Sequence, residues 1–123
     1  RDRSVSRGLG DVYKRQLEVC VLAVLRKGPS YGYMIVRDLE DSIEMSESTL
    51  YPILKRLEQN GSLETYRQEY NGRMRKYYRL TDIGQEKIEQ FLDEWEEIQN
   101  VYRFVREHNE SAPDAAKEEA EEL

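Results

Sequence analysis

Asn71-Gly72 stands between two runs rich in Tyr, Arg and Thr, Leu63 to Tyr70 and Met74 to Leu80. Both central positions of a two-residue hairpin turn need positive φ, which Asn and Gly tolerate best. Side-chain alternation along the two runs is imperfect, so the turn chemistry carries the assignment. A single hairpin among segments of helical character limits the chain to a small, mainly α (α+β) fold with one two-stranded ribbon.

Upstream, Leu17 to Leu25 is nearly all apolar. Length and periodicity do not separate a buried strand from a buried helix here, and three Val favour strand. Gly28-Pro29 ends the segment. Ser30 is placed to cap a helix whose apolar face is Tyr31, Ile35, Val36 and Leu39. Gly32 within it is a small residue of the kind that lets another helix approach closely. Asp41 to Glu47 reads as a polar linker. The next helix starts near Ser48 or Thr49 and stops at Asn60-Gly61, with Leu50, Ile53, Leu54 and Leu57 as its buried stripe. Thr49, Pro52, Lys55, Arg56 and Gln59 form its opposite face, with Pro52 expected in the first turn.

After the hairpin, Thr81 or Asp82 caps a long helix expected over residues 81–106. Ile88, Phe91, Trp95, Ile98, Tyr102 and Val105 recur in it with gaps of 3, 4, 3, 4 and 3. That is a heptad seam suited to another helix. At 1.5 Å per residue the helix is about 35–40 Å long. So small a domain does not cover that length, and a second copy of the chain is the natural cover. Residues 107–123 form an acidic tail with Pro113, expected to be disordered.

Composition removes several function classes. One Cys excludes an internal disulfide and a multi-cysteine zinc site. No apolar run approaches the roughly 20 residues that span a bilayer, and no secretory leader pattern is present, so a cytoplasmic protein without membrane contact is expected. No Ser/His/Asp set, metal cluster or phosphate loop occurs, so neither catalysis nor a cofactor is expected. Cys20 reads as an apolar core residue, and His108 has no companion ligands. Arg1 to Gln16 is polar and has no helical or strand period. Asp11-Val12-Tyr13-Lys14-Arg15-Gln16 back-translates to GAT GTG TAT AAG AGA CAG, which resembles the transposon end used in DNA library preparation. We expect residues 1–16 to be translated adaptor, with the native start missing, and leave them out of the functional reading.

The order helix, helix, linker, helix, hairpin over residues 17–80 is that of a winged helix-turn-helix, in which one helix enters the major groove and the hairpin rides on the backbone. Ser48, Thr49, Tyr51, Lys55 and Arg56 give the third helix hydroxyls and cations that suit base edges and phosphates. Arg73, Arg75 and Lys76 do the same for the hairpin tip. The bland alternative is a solvated basic surface. The overall charge of −6 speaks against nucleic acid, but its distribution does not. Residues 17–80 hold 10 basic and 9 acidic groups, whereas residues 81–123 hold 4 basic and 14 acidic. The acidity lies away from the expected DNA face.

The runs GPSYGYMIVRDLE, STLYPILKRLEQNGSLE and RKYYRLTDIGQEKIEQFLDEW resemble the PadR family of bacterial transcriptional regulators, over about Leu17 to Val105. The single C-terminal helix is similar to that of the smaller subfamily, which includes multidrug-responsive repressors. The resemblance implies a homodimer on an inverted-repeat operator, usually repressing a nearby gene. It carries Thr49, Tyr51 and Lys55 to the recognition helix and Arg75 and Lys76 to the wing. One departure is Glu47-Ser48, where the family often has Pro-Gly.

Trp95 has two readings. It packs the dimer seam together with Phe91, or, as the resemblance implies, it faces a pore between subunits and stacks on a small flat aromatic effector. Asp93, Glu94 and Glu97 surround it with negative charge. The reading as a whole is a DNA-binding, ligand-responsive repressor. The competing one is a winged helix that binds proteins rather than DNA.

Overall fold

The computed structural model describes residues 2–111, with side chains from residue 12 onward. Its elements run α1 (Asp2–Leu25), α2 (Gly32–Leu39), α3 (Glu47–Gln59), β1 (Leu63–Tyr70), β2 (Arg73–Leu80) and α4 (Asp82–Glu110). No helix among the described residues is long and apolar enough to cross a membrane. The chain divides into two units, residues 1–90 and residues 91–123.

In the first unit, Leu17 to Leu25 is helix, not strand. Leu17, Val21, Leu22 and Leu25 are buried and recur at helical spacing, so one face of α1 enters the core. Packing against α2 and α3 outweighs the β preference of its three Val. The helix begins at Asp2, well before the expected boundary at Leu17. Adding residues to a formed helix costs little, and among the described side chains burial starts at Leu17, with Val12 and Tyr13 exposed. Cys20 packs against the core, and burial pushes its thiol pKa up, away from the reactive thiolate.

Ser30 does not cap α2, as the sequence suggested. The N-cap is Tyr31, whose side chain makes no capping bond. Ser30 instead pairs with Tyr78 of β2, its N–H donating to the Tyr78 carbonyl at 3.1 Å and its carbonyl accepting from the Tyr78 N–H at 2.8 Å. This short bridge ties the start of α2 to the hairpin. Ile35 and Leu39 of α2 join Leu50, Ile53, Leu54 and Leu57 of α3 in one core, and Met45 of the linker also enters it. Each such side chain, once fully buried, contributes roughly 1.5–3 kcal/mol.

Helix α3 starts one or two residues earlier than expected. Ser46 is its N-cap, accepting from the Thr49 N–H at 3.3 Å and bonding the Ser48 and Thr49 hydroxyls at 2.9 and 3.1 Å. Pro52 is therefore the sixth helical residue, in the second turn rather than the first. It removes the N–H that would meet the Ser48 carbonyl, but on the solvent side, since Ser48 and Pro52 are both exposed.

The hairpin forms as the turn chemistry requires. Asn71 and Gly72 have φ of 50° and 79°, and Tyr70 pairs with Arg73 across the turn. The register runs to Leu63 opposite Leu80, whose inward side chains anchor the ribbon. Thr81 caps α4, its hydroxyl accepting from the Gly84 N–H at 3.2 Å and donating to the Gly61 carbonyl at 2.6 Å.

In the second unit, α4 continues past the expected residue 106 to Glu110. Arg106 pairs with Glu110 at 2.9 Å one turn on, and His108 bonds the Phe104 carbonyl through Nδ1 at 2.9 Å, which supports this last turn. The tail expected to be disordered from residue 107 is thus helical through Glu110, and its residues 112–123 lie outside the described residues. Beyond Phe91 the seam is open in the single chain: Trp95, Ile98, Tyr102 and Val105 are 42%, 55%, 60% and 59% exposed. Leu92, Val101 and Phe104 widen this apolar surface.

Candidate nucleic-acid interface

Two elements of the first unit bring the candidate DNA residues to the surface. The buried stripe of α3 fixes its rotation, which turns Ser48, Thr49, Tyr51, Lys55 and Arg56 outward. Tyr51 leans from α3 over Gly32 at the start of α2. A Cβ on Gly32 would lie 2.5 Å from the Tyr51 hydroxyl oxygen, so the two helices meet here because residue 32 has no side chain. Tyr31, Gly32, Tyr51, Arg75, Lys76 and Tyr78 line an open cavity of about 300 Å³ between recognition helix and wing.

The cations differ in their surroundings. Arg56 donates from Nε to Glu18 Oε1 of α1 at 2.5 Å. Lys76 pairs with Glu58 Oε1 at 3.3 Å, and the other oxygen of Glu58 accepts from the Thr65 hydroxyl at 3.1 Å. Arg79 holds Glu64 across the strands at 3.1 Å. Lys55 and Arg73 are exposed and have no ion pair among the described residues. Arg75 is half-buried, with its guanidinium carbon 4.4 Å from the ring centre of Tyr31 and 4.7 Å from that of Tyr70.

Tyr78 lies beneath this surface. Burial first, then the charge of Glu58 and the hydroxyl of Tyr51, raise its pKa above the ordinary tyrosine value of 10. The Tyr78 phenol thus stays neutral next to the basic tip. No group of His, Cys, Asp and Glu among the described residues is arranged to hold a metal ion.

A profile of the Transcriptional regulator PadR-like family matches residues 21–90, from within α1 to the third turn of α4. The chain belongs to the PadR family. PadR-family proteins are transcriptional regulators rather than enzymes, and this chain is a DNA-binding regulator of that kind. The crystal structure of smu.1704 from Streptococcus mutans is 41% identical, with a TM-score of 0.68 over 76% of this chain and 89% of that one. A PadR-like transcription factor from Bacteroides fragilis is 30% identical, with a TM-score of 0.73 over 80% and 98%. PadR of Bacillus subtilis, solved in complex with operator DNA, is 28% identical, with a TM-score of 0.57 over 62% of this chain and 46% of that one.

Sequence reasoning missed two residues of this surface, Tyr31 and Tyr70, whereas Gly32, expected to let another helix approach, does lie against Tyr51 of α3. Tyr31 looked like part of an apolar helix face, yet its ring lies against Arg75 and Tyr77. Tyr70 looked like a strand end. The unusual density of tyrosine, 9 residues in the chain, was the one available signal. Of the effector candidates, Phe91 and Trp95 lie with parallel rings, 6.3 Å between centroids and 5° between planes.

Proposed function

We propose that this chain is a repressor that binds an inverted-repeat operator as a homodimer in the cytoplasm. Thr49, Tyr51, Lys55, Arg73 and Arg75 make the contacts in each half-site, with Ser48 at the start of the recognition helix. Arg56 and Lys76, each already holding a carboxylate, contribute less. The observation that carries the DNA part is the outward face of α3 standing beside a wing tip whose Arg73 and Arg75 hold no acidic partner among the described residues. Pairing through Ile88, Phe91, Trp95, Ile98, Tyr102 and Val105 is favoured by the open apolar seam of α4. A two-fold pair of such wings fits half-sites about 34 Å apart, one DNA turn.

Selection of bound sequences from random duplex DNA tests this reading. The expected product is a palindromic site, bound with a steep salt dependence. Lys55→Ala should lower the log–log salt slope by about 0.9. Selection that yields no enriched duplex would sink the proposal. Sedimentation of the free protein at twice the mass of one chain supports the dimer, and a monomer at working concentration refutes it.

The same open seam favours a flat aromatic effector. Trp95 exposes part of its indole next to Phe91, with Asp93 and Glu97 on neighbouring exposed positions. An indole face with nearby carboxylates attracts planar cations. Such a ligand would lower operator affinity by repositioning the two helices of the dimer.

A further inference from the structure

One face of the wing is a ladder of rings and cations. Alternation along the strands puts Glu64, Tyr66, Gln68 and Tyr70 of β1 on this face, opposite Arg79, Tyr77, Arg75 and Arg73 of β2. Arg79 lies over Tyr66 at 4.7 Å, and Tyr66 stacks on Tyr77 at 5.4 Å with 14° between planes. Tyr77 meets Tyr31 edge-on at 5.5 Å and 70°. The rings of Tyr31 and Tyr70 both lie against the Arg75 guanidinium, at 4.4 and 4.7 Å. The ladder therefore ends at the wing tip in an arginine that contacts two tyrosines.

This way of holding a cation differs from the others on the same surface. Arg56, Lys76 and Arg79 are oriented by Glu18, Glu58 and Glu64, which also neutralise them. Tyrosine rings orient Arg75 and leave its charge intact. A guanidinium carries its five donors in its plane, and a ring face attracts it without taking up any of them. Among the described residues Arg75 Nη1 is buried with no hydrogen-bond partner. Arg75 as a whole is half-buried and lines the open cavity shared with Tyr51 and Lys76, where its planar fork matches the oxygens of a phosphodiester.

Building on the DNA-binding reading above, we propose that Tyr31 and Tyr70 are positioning residues that hold Arg75 for a phosphate of the duplex backbone. Ordering the side chain before binding removes the rotamer entropy that a free arginine loses on contact. Tyr31 is also the N-cap of α2, so the wing-tip cation is registered to the helix-turn-helix and not only to its own hairpin.

The test is a double-mutant cycle on the full chain with a duplex taken from the random-pool selection. Tyr70 is exposed at the wing tip, so its replacement leaves the core intact. Tyr70→Leu should weaken binding about three- to tenfold. Tyr70→Phe, which keeps the ring face, should restore it. In an Arg75→Ala background Tyr70→Leu should cost nothing further, because the ring acts only through the arginine. Tyr31→Leu and Tyr31→Phe should follow the same pattern, with thermal melts confirming that the variants fold. An unchanged affinity in Tyr70→Leu overturns the inference, as does an equal loss in both backgrounds or a failure of Phe to restore binding. Those outcomes presuppose a wild-type chain that binds the duplex. If it binds none, the DNA reading falls first, and this inference with it.

Discussion

The Tyr51 hydroxyl sits over the backbone of Gly32, at a place where a methyl group on residue 32 would lie 2.5 Å from it. A candidate DNA contact on α3 is thus seated by the lack of a side chain on α2. The obstructed atom is the far end of a movable ring, so Gly32→Ala should displace Tyr51 rather than unfold the domain. Stability should change by no more than about 1 kcal/mol, within the range of a Gly-to-Ala exchange in a helix. Operator affinity should fall roughly three- to tenfold, or about 0.7–1.4 kcal/mol. Titration of labelled duplex alongside a thermal melt reads both. Full affinity in Gly32→Ala would remove Tyr51 from the interface.

Gly84 presents the opposite case. A Cβ there would run into the Ser62 carbonyl oxygen, a backbone atom, and into the Leu80 side chain. The carbonyl has no room to swing aside, since Ser62 is wholly buried at the junction of α3, the hairpin and α4. Gly84→Ala should destabilise the fold by about 3 kcal/mol, the upper part of the usual range for overpacking. Urea denaturation measures it. A loss below 1 kcal/mol would mean that the first turn of α4 shifts freely.

Alkaline pH tests Tyr78. Its pKa is raised in the folded state, by burial above all, so the folded chain keeps a proton that the unfolded chain gives up near pH 10. The stabilisation is whole below pH 10 and is lost as pH rises from there through the folded value. Tyr78→Phe keeps the ring on which Lys76 rests and removes the ionisation. Its stability should therefore decline less between neutral pH and strongly alkaline pH. Parallel declines in the two proteins would contradict the prediction.

Trp95 is the one tryptophan of the chain, so intrinsic fluorescence reports on it alone. Planar aromatic cations should quench that emission and weaken operator binding over the same concentration range. Trp95→Ala should abolish the response while leaving a dimer held by the rest of the seam. Quenching with unaltered DNA affinity would count against an effector site.

Local chemistry made the hairpin and the third helix readable. Asn71-Gly72 admits few other turns, and the spacing of Leu50, Ile53, Leu54 and Leu57 admits one rotation of α3. The apolar run from Leu17 stayed ambiguous because burial, not sequence period, chooses its conformation. Ser30 misled for a related reason. Its residue type suits a cap, but its backbone finds partners in Tyr78, 48 positions later. The ion pair of Arg56 with Glu18 and the contact of Tyr31 with Arg75 also join distant segments. Composition announces the ingredients of such contacts, and only the assembled fold says which of them meet.

Glu58 gives one carboxylate oxygen to each strand of the ribbon, through Thr65 and Lys76. On the DNA-binding reading proposed above, the wing is consequently held at two points to the helix beside it, like the jaw of a fixed-gap gauge. Such a jaw does not adapt to an operator whose groove is too wide or too narrow. It leaves the work of fitting to the DNA, so sites of equal base sequence and unequal flexibility should be held for different times.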